Sequence, residues 1–265
     1  MMYNQIIMNN EFIKKLKETA QNEKIEYINV IPQNCLEKYN SSVVGLLPYY
    51  AGEENSYFSK YTRGKDYHIV GRRIMEKILD NMGIFDREIF VDISPFNEKE
   101  LALKAGLGYR GKNGLVINEK YGSFVFIMTA FINCDTPDEI YDIKECLNCK
   151  KCLSHCPQNA IEENKINYEK CLSHITQKRQ IDSFEEEIIR KNKSAWGCDI
   201  CQNVCPMNKD VEITPIEEMK NNLLLKTDDI KLLSNKKFKE KYKDYSFSYK
   251  GKKILERNID LIKEF

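Results

Sequence analysis

The sequence lacks both a long hydrophobic run and a strong net charge. Its longest apolar stretch, FVFIMTAFI at 124–132, is far too short to span a bilayer. The first residues also lack the charged region, apolar core and cleavage site of a secretory signal peptide. A net charge of +1 favours neither nucleic acid nor membrane as a partner of the whole surface. We therefore expect a cytoplasmic protein without a membrane partner, whose ten cysteines serve metal binding or catalysis instead of disulfides.

Positive charge is concentrated towards the end of the sequence. Residues 220–265 contain 13 Lys and Arg against 7 Asp and Glu. Such a basic tail is either an ordinary solvated surface or a contact surface for an anionic partner. Both interpretations stay open at this point.

Apolar periodicity predicts an α/β (α+β) fold with a mixed sheet in the first part of the chain. The predicted elements are helices over 11–22, 66–83 and 98–106, and strands over 24–31, 41–47, 87–92 and, as two strands joined by a turn at 120–122, within 114–132. The pattern divides the chain into three domains, which are an α/β domain at 1–140, a cysteine-rich domain at 141–212 and a mostly helical basic tail at 213–265.

Four cysteines follow the spacing of bacterial ferredoxins. Cys146, Cys149, Cys152 and Cys156 form the run C-x2-C-x2-C-x3-C-P, which is typical of proteins that bind 4Fe–4S clusters. The short gaps allow three thiolates from one loop to bind three corners of a cubane. The fourth cysteine of such a run binds the partner cluster.

A second run repeats this motif without its first cysteine. Cys198, Cys201 and Cys205 keep the spacing and the final proline, but Ala195 stands where the first cysteine would be. Cys171 is the candidate within the region for the missing ligand. The crossing of ligands then predicts two 4Fe–4S clusters, one bound by Cys146, Cys149, Cys152 and Cys205 and the other by Cys156, Cys171, Cys198 and Cys201.

A pair of structural zinc sites is the alternative, because C-x2-C pairs also build zinc ribbons. The triple spacing and the repeated C-P ending favour iron–sulfur clusters. Cys35 and Cys134 fall outside the pattern and are expected to be ordinary buried thiols. The residues so far predict a conduit for electrons and leave their acceptor unidentified.

Three stretches outside the cysteine runs resemble the epoxyqueuosine reductase family. They are SKYTRGKDYH at 59–68, FVDISPFNEKELALKAGLGYRGKNGLVI at 90–117 and CLSHITQKR at 171–179. Both cysteine runs match in order and spacing, and Met207 stands where the family usually has tryptophan. Several ordered motifs together are far more specific than any one of them.

The resemblance implies a reaction and its cofactors. Members of the family reduce the epoxide of epoxyqueuosine at the wobble position of tRNA to queuosine, and they use cobalamin that receives electrons through two 4Fe–4S clusters. The 1–140 domain would then bind the corrinoid and carry catalysis, and the 141–212 domain would be ferredoxin-like. We expect a monomer that binds the anticodon region of tRNA and takes electrons from an external low-potential donor.

The resemblance also indicates catalytic residues. Asp92 stands where the family places its catalytic aspartate, and it could donate a proton near neutral pH if burial raised its pKa. Alternatively, Asp92 caps the helix that follows Pro95. His68 belongs to the KDYH motif and is either a catalytic-site residue or a core histidine. The letters DYHIVG at 66–71 also spell a cobalt-ligating motif of another cobalamin fold, but here they enter a predicted helix.

The remaining site residues are carried over from the same resemblance. Expected corrinoid contacts are Ser59, Asp92, Lys112, Asn113, Ser173 and Asp199. The glycine-rich GLGYRGKNG at 106–114 lacks the G-x-G-x-x-G order of a dinucleotide loop. Lys178 and Arg179, with the basic tail, are candidates for tRNA phosphates.

Longer members of the family continue into a helical-repeat domain where this sequence stops. Three hypotheses therefore remain. The first is the tRNA epoxide reductase. The second is a corrinoid and iron–sulfur reductase of another substrate, on a scaffold related to reductive dehalogenases. The third is a non-catalytic, ferredoxin-like electron carrier.

Overall fold

The computed structural model describes residues 2–33, 36–53, 56–134, 141–162, 165–220 and 227–263. These form two compact units that alternate along the chain. The first, called the sheet unit, comprises Met1–Pro48, Tyr67–Arg110 and Leu115–Cys146, and the second, called the cysteine unit, comprises Tyr49–Asp66, Gly111–Gly114 and Leu147–Phe265. The division at 140 and 212 stays a prediction, and residue 140 and Cys35 lie outside the described residues.

The sheet unit contains the helices and strands that periodicity predicts. Its elements are α1 Met2–Asn22, β1 Ile28–Pro32, β2 Ser41–Pro48, α2 Tyr67–Asn81, β3 Arg87–Val91, α3 Glu98–Lys104, β4 Tyr109–Arg110, β5 Val116–Ile117, β6 Val125–Ile132 and β7 Lys144–Glu145. The two strands predicted within 114–132 are confirmed as β5 and β6. They belong to different sheets, and in the chain between them Asn118 and Gly122 form an isolated antiparallel bridge.

Two sheets make up this unit. The larger has the strand order β1-β2-β6-β3 and is antiparallel throughout, with Gly45 opposite Met128 and Val91 opposite Met128 on the other side. The smaller has the order β5-β4-β7, and its β4–β7 pair is parallel. The predicted α/β class is confirmed, and mixed pairing is confined to the smaller sheet.

Helices cover both faces of the larger sheet. On one face α2 approaches so closely that a Cβ on Gly71 would lie 3.1 Å from Val91 and 3.2 Å from Met128. Phe131 is three residues beyond Met128 and therefore points to the opposite face, where it packs with Leu101 of α3. This packing fixes the chain between β3 and α3, which starts at Asp92.

The cysteine unit is built from short helices. They are α4 Lys151–His155, α5 Leu172–Ile175, α6 Ser183–Asn192, α7 Ile200–Asn203, α8 Glu217–Lys220, α9 Thr227–Leu232, α10 Asn235–Tyr242 and α11 Lys252–Lys263, with a two-stranded sheet of β8 Ile161–Glu162 and β9 Lys165–Ile166. The end of the chain is mostly helical, as predicted. No helix in the described ranges combines the length and apolar character needed to cross a bilayer.

One apolar core organises this unit. Trp196 is 1% exposed and lies in a cluster with Ile189 of α6, Phe247 and Leu255 of α11. α6 begins with a capping box, since the Asp182 carboxylate accepts from the Glu185 amide and the Glu185 carboxylate accepts from the Asp182 amide. The core therefore joins the tail helices to the chain segment that carries the second cysteine run.

Candidate functional site

Asp92 stands at the end of β3, where the strand turns away from the sheet. Its φ is 59°, a left-handed conformation that is uncommon for residues other than glycine and is found often at functional sites. The hydroxyl of Tyr67, in the first turn of α2, donates to Asp92 Oδ2 at 2.8 Å. The strand end and this hydrogen bond together orient the carboxylate.

The structure bears on both roles expected of Asp92, a helix cap and a buried proton donor. The alternative role as a helix cap is wrong, because Asn97 caps α3 and its side chain accepts from the Glu100 amide at 3.2 Å. The burial expected of a proton donor is not supplied by the described residues, since Asp92 is exposed. Instead, two charged residues close to it, Glu98 and Lys99, are partly buried.

Glu98 and Lys99 begin α3 and are both partly buried. Burial, and next the charge of Asp92, raise the pKa of Glu98 to about 8, while a hydrogen bond from the Asp92 amide opposes this rise. Glu98 Oε1 is buried, and no group in the described ranges forms a hydrogen bond with it. Burial also lowers the pKa of Lys99, against the opposing charge of Asp92. Sequence reasoning missed both residues, because charged side chains in a first helical turn usually face solvent.

Aromatic stacking connects His68 to the same place. The ring of Tyr67 stacks on Phe126 at 3.7 Å and on His68 at 4.1 Å between ring centroids. His68 is the second residue of α2 and partly buried, which confirms that the DYHIVG stretch enters a helix. The KDYH motif therefore places a phenol against Asp92 and an imidazole behind that phenol.

The predicted cluster ligands lie at helix starts and ends. Cys152 is within α4 and Cys156 follows it, while Cys201 is within α7. Cys171 directly precedes α5 and Cys205 directly precedes a short 3-10 helix. The remaining ligands are Cys198, Cys149 and Cys146, the last of which closes the sheet unit. α4 packs against α7, so residues of the two cysteine runs are neighbours.

The pKa shifts of Cys198 and Cys201 indicate that cysteines of the predicted second ligand set lie close to one another. Burial raises the pKa of Cys198 to about 12, with further contributions from Cys171 and Cys156. Burial also raises the pKa of Cys201, followed by Cys198 and Cys171. Cys198 therefore lies within electrostatic range of Cys156 and Cys171, and Cys201 lies within range of Cys198 and Cys171. Because crowded thiolates repel one another, a cationic metal core would stabilise them.

Backbone amides also point at these sulfurs. The Ala160 amide donates to Cys156 Sγ at 3.2 Å, and the Ile200 amide donates to Cys198. Such donors are suited to ligand sulfurs of iron–sulfur clusters. Cys152 of the other set contributes to the pKa of Cys201. Within the described ranges, no group of three or more His, Cys, Asp or Glu side chains is arranged to hold a single metal ion.

Ala195, at the position of the missing cysteine, belongs to the apolar core. It is 0% exposed, its amide donates to the Tyr57 carbonyl at 2.8 Å, and its carbonyl accepts from Asn258 Nδ2 at 2.8 Å. Packing and backbone hydrogen bonds thus use this position for the fold of the cysteine unit.

Two predicted cofactor-binding residues contact each other. The Ser59 hydroxyl donates to Asp199 Oδ1, and the Lys60 amide donates to Asp199 Oδ2 at 2.8 Å. Gly197, two residues before Asp199, has a φ of 78°, and a Cβ there would lie 2.5 Å from the Ser59 Cβ. Only glycine therefore allows these segments to approach so closely.

The other predicted contacts of this kind, apart from Asp92, lie in the same unit. Ser173 hydrogen-bonds Tyr61, whose pKa is raised chiefly by burial, and Gln177 Nε2 donates to the Tyr61 hydroxyl at 3.1 Å. Asn113 is 1% exposed and Lys112 is partly buried. Asp92 and His68 belong to the sheet unit. The sequence did not identify Tyr61, because nothing in the SKYTRGKDYH motif marks this tyrosine as a residue that contacts others.

The candidate phosphate contacts differ in their surroundings. Lys178 Nζ lies 2.7 Å from both Glu169 Oε2 and Glu185 Oε1, and hydrogen bonds to these carboxylates raise its pKa. Arg179 is exposed. In the basic tail, the lysines of α10 are exposed, namely Lys236, Lys237, Lys239 and Lys241. Lys178 is thus held in a local ion-pair network, while the others face solvent.

Comparison with known proteins identifies the cysteine region first. The family model of the 4Fe-4S double cluster binding domain matches residues 145–208. This range contains all eight predicted ligands. The chain therefore carries a 4Fe–4S-binding domain.

Curated relatives extend the similarity to most of the chain. An epoxyqueuosine reductase of Lactococcus garvieae is 35% identical over 214 residues, which are 76% of this chain and 60% of the relative. An epoxyqueuosine reductase of Leadbetterella byssophila is 35% identical over 247 residues, which are 88% of this chain and 80% of the relative. The chain thus spans about three fifths of the length of the first of these relatives.

Solved structures show the same fold. A crystal structure of epoxyqueuosine reductase with a tRNA-Tyr epoxyqueuosine-modified tRNA stem loop matches with a TM-score of 0.85 at 24% identity, over 96% of this chain and 81% of that chain. A catabolic reductive dehalogenase matches with a TM-score of 0.54 at 17% identity, over 77% of this chain and 32% of that one. The predicted similarity to the reductive dehalogenase scaffold is confirmed for the fold.

Proposed function

We propose that this chain, which belongs to the epoxyqueuosine reductase family, reduces the epoxide of epoxyqueuosine in tRNA to the alkene of queuosine. The observation that carries the proposal is the oriented acid at the end of β3, where Tyr67 holds Asp92 at 2.8 Å and Glu98 lies alongside. An electron carrier needs no proton donor, whereas loss of an epoxide oxygen as water consumes protons.

For the electrons, we assign the cysteines to two clusters as the spacing predicts. Cys156, Cys171, Cys198 and Cys201 would hold one 4Fe–4S cluster, and Cys146, Cys149, Cys152 and Cys205 the other. Clusters bound there would transfer single electrons. The proposal is supported by the effect of Cys156 and Cys171 on the pKa of Cys198 and by the amides directed at two sulfurs.

For the corrinoid, the donor set of the chain has suitable chemistry. A cobalamin bound here would supply a low-potential centre for reducing the epoxide. Candidate contacts are Ser59, Asp92, Lys112, Asn113, Ser173 and Asp199. They offer hydroxyl, carboxylate, amide and ammonium groups, which complement the amide side chains at the edge of a corrin ring. The Ser59–Asp199 pair and buried Asn113 supply groups already fixed in position.

The roles of the chain's own residues follow from their placement. Asp92 delivers protons to the departing oxygen, Tyr67 orients it, and His68 supports Tyr67 through the stacked rings. Arg179 and the lysines of α10 bind phosphates of the anticodon region, while Lys178 holds the neighbouring segment through Glu169 and Glu185. The protein acts in the cytoplasm as a monomer and receives electrons from an external low-potential donor.

The test begins with anaerobically reconstituted protein. We expect about eight irons per chain and conversion of a stem loop that contains epoxyqueuosine to one that contains queuosine, measured by nucleoside mass spectrometry. Asp92→Ala should keep the iron and lose turnover. Cells that lack this chain should accumulate epoxyqueuosine. Zinc in place of iron, or about four irons in the intact chain, would contradict the proposal.

The dehalogenase-like fold favours one alternative, a corrinoid and iron–sulfur reductase of another substrate. In that case the protein would bind cobalamin and depend on Asp92, but cells lacking it would keep a normal queuosine content. A ferredoxin-like carrier would bind no corrinoid at all. The nucleoside measurement and a corrinoid-binding titration therefore separate the three hypotheses.

A further inference from the structure

The proposed reaction has a requirement that Asp92 alone does not meet. Converting an epoxide to an alkene breaks two C–O bonds, takes up two electrons into the new C=C bond and releases the oxygen as water with two protons. Asp92 is exposed and can carry one proton at a time. A neighbouring acid that already holds a proton would resupply Asp92 between the two steps, and the sheet unit contains a second carboxyl group beside it.

We propose that Glu98 holds the proton that Asp92 delivers, so that the two carboxyl groups form a short relay from the partly buried end of the loop to its exposed end. This inference rests on the proposed function, and it concerns the origin of the protons. Glu98 is a positioning and storage residue in this scheme, because Asp92 is the group that touches the substrate.

Geometry provides the first argument. Glu98 is the first residue of α3, and the amide of Asp92 donates to its carboxylate across the connecting loop. Its Oε1 is buried and receives no hydrogen bond from any residue that the structure describes. An ionised carboxylate with such an oxygen is costly, whereas a neutral carboxylic acid loses much less on burial. The site therefore favours the protonated form of Glu98.

Charge provides the second argument. The groups around the site are Asp92 on the loop, Lys99 beside Glu98 on α3, and Tyr67 from α2, which donates to Asp92. Burial comes first and the negative charge of Asp92 second in raising the pKa of Glu98 to about 8. At neutral pH Glu98 is therefore the group that holds a proton.

The steps balance with a low-potential one-electron donor protein as the reductant. As the first C–O bond breaks, the growing negative charge on oxygen draws the proton from Glu98 through Asp92. The relay is refilled from solvent, and a second proton follows the same route when the oxygen leaves as water. Two electrons from the donor enter the substrate, and both carboxyl groups end in their starting states.

The first test is a pH profile of turnover by the reconstituted holoenzyme. A required proton holder is filled below its pKa, so wild-type kcat should fall as pH rises through about 8. Glu98→Gln keeps the size of the side chain and an acceptor for the Asp92 amide. We expect it to lower kcat at least about tenfold, to remove the fall near pH 8 and to leave KM unchanged.

A matched control lies on the same helix. Glu100 pairs with Arg110 at 2.9 Å, and Glu100→Gln should keep the alkaline fall and most of the rate. If Glu98→Gln retained the fall near pH 8, the relay would be wrong. A general loss of folding would instead lower the iron content and the rate at every pH, and such a variant with an unmoved profile would also count against the relay.

The second test needs no substrate. Infrared difference spectra of the holoprotein between pH 6 and pH 10 should show a carboxylic acid that ionises near pH 8 in wild type and in Glu100→Gln, but not in Glu98→Gln. If wild type failed to reduce epoxyqueuosine, the proposed function would fail while the infrared band still reported the proton on Glu98. Absence of that band would overturn the inference directly.

Discussion

A single backbone conformation determines how Asp92 can act. With a φ of 59° the residue leaves the line of β3, and its carboxylate meets the hydroxyl of Tyr67 instead of a neighbouring strand. After this turn the chain reaches Glu98, which is partly buried and accepts a hydrogen bond from the Asp92 amide. The end of β3 and the start of α3 therefore bring together an exposed carboxylate, Asp92, and a partly buried one, Glu98.

At the residue scale, the raised pKa of Glu98 makes stability depend on pH. The folded state keeps this proton up to about pH 8, whereas the unfolded chain releases it near 4.5. The free energy of unfolding should therefore fall between these values and level off above them. Glu98→Gln removes this loss, so at pH 9 the variant should exceed wild type by about 2 kcal/mol after allowance for partial exposure.

The measurement is the melting temperature of the anaerobic holoprotein at pH 5 and pH 9. Wild type and Glu98→Gln should melt together at pH 5, and the variant should melt higher at pH 9. Glu88→Gln, an exposed glutamate on β3, serves as the control and should follow wild type at both values. Equal differences at the two pH values would show that Glu98 is ionised in the folded protein throughout.

At the scale of elements, close approach around Gly197 holds Ser59 against Asp199. Gly197→Ala would combine a left-handed backbone with a clash of 2.5 Å against the Ser59 Cβ. We expect the free energy of unfolding to fall by about 2–4 kcal/mol. The iron content should also fall, because the proposed ligand Cys198 follows directly. Gly83→Ala is the matched control, since its φ of 77° is similar and no described atom lies within 4 Å of an added Cβ.

That control should cost only about 1 kcal/mol and keep the iron. Melting temperature and iron analysis, both under anaerobic conditions, measure the two effects. If Gly197→Ala behaved like Gly83→Ala, backbone strain alone would account for the requirement at this position. The close contact with Ser59 would then have no role in assembling the unit.

The cysteine runs carry a second prediction at this scale. Cys171→Ala should lower iron from about eight to about four atoms per chain, because it removes one ligand of the second set. Ala195→Cys should not restore the iron in that variant, since position 195 lies in the apolar core at 0% exposure. Cys134→Ala, outside both sets, should keep all the iron. Full iron in Cys171→Ala would disprove the ligand assignment.

At the scale of the whole molecule, net charge conceals a local asymmetry. The chain is nearly neutral, yet the exposed face of α10 carries Lys236, Lys237 and Lys239. Changing these three to glutamate should weaken binding of the anticodon stem loop and reduce its salt dependence, by a slope of up to about 0.9 for each lost phosphate contact. Binding isotherms over a series of salt concentrations measure both effects.

The matched control has the same change in charge on another helix. Lys14, Lys15 and Lys17 of α1 are also exposed, and their replacement by glutamate should leave the salt slope unchanged. If both triple variants weakened binding equally, general charge would be responsible. In that case α10 would be an ordinary solvated surface.

Spacing and periodicity predicted the parts of this molecule that depend on local order. Cysteine gaps, the helix over 66–83 and the strand that ends before Asp92 are encoded by residues close in sequence. The burial of Glu98, the pairing of Lys178 with two carboxylates and the separation of β5 from β6 depend on how the folded chain brings different elements together. Local patterns carry no information about those partners, so these features became visible only in the structure.

The four thiols of the second set come from three separate stretches of chain, which begin near Cys156, Cys171 and Cys198. A bound cubane would act as a cross-link among them and would restrict the unfolded chain much as disulfides do. Maturation of the inorganic core and folding of this unit would then be a single event. During iron starvation, newly made chains would remain open to cellular proteases, so we expect their abundance to follow the iron supply.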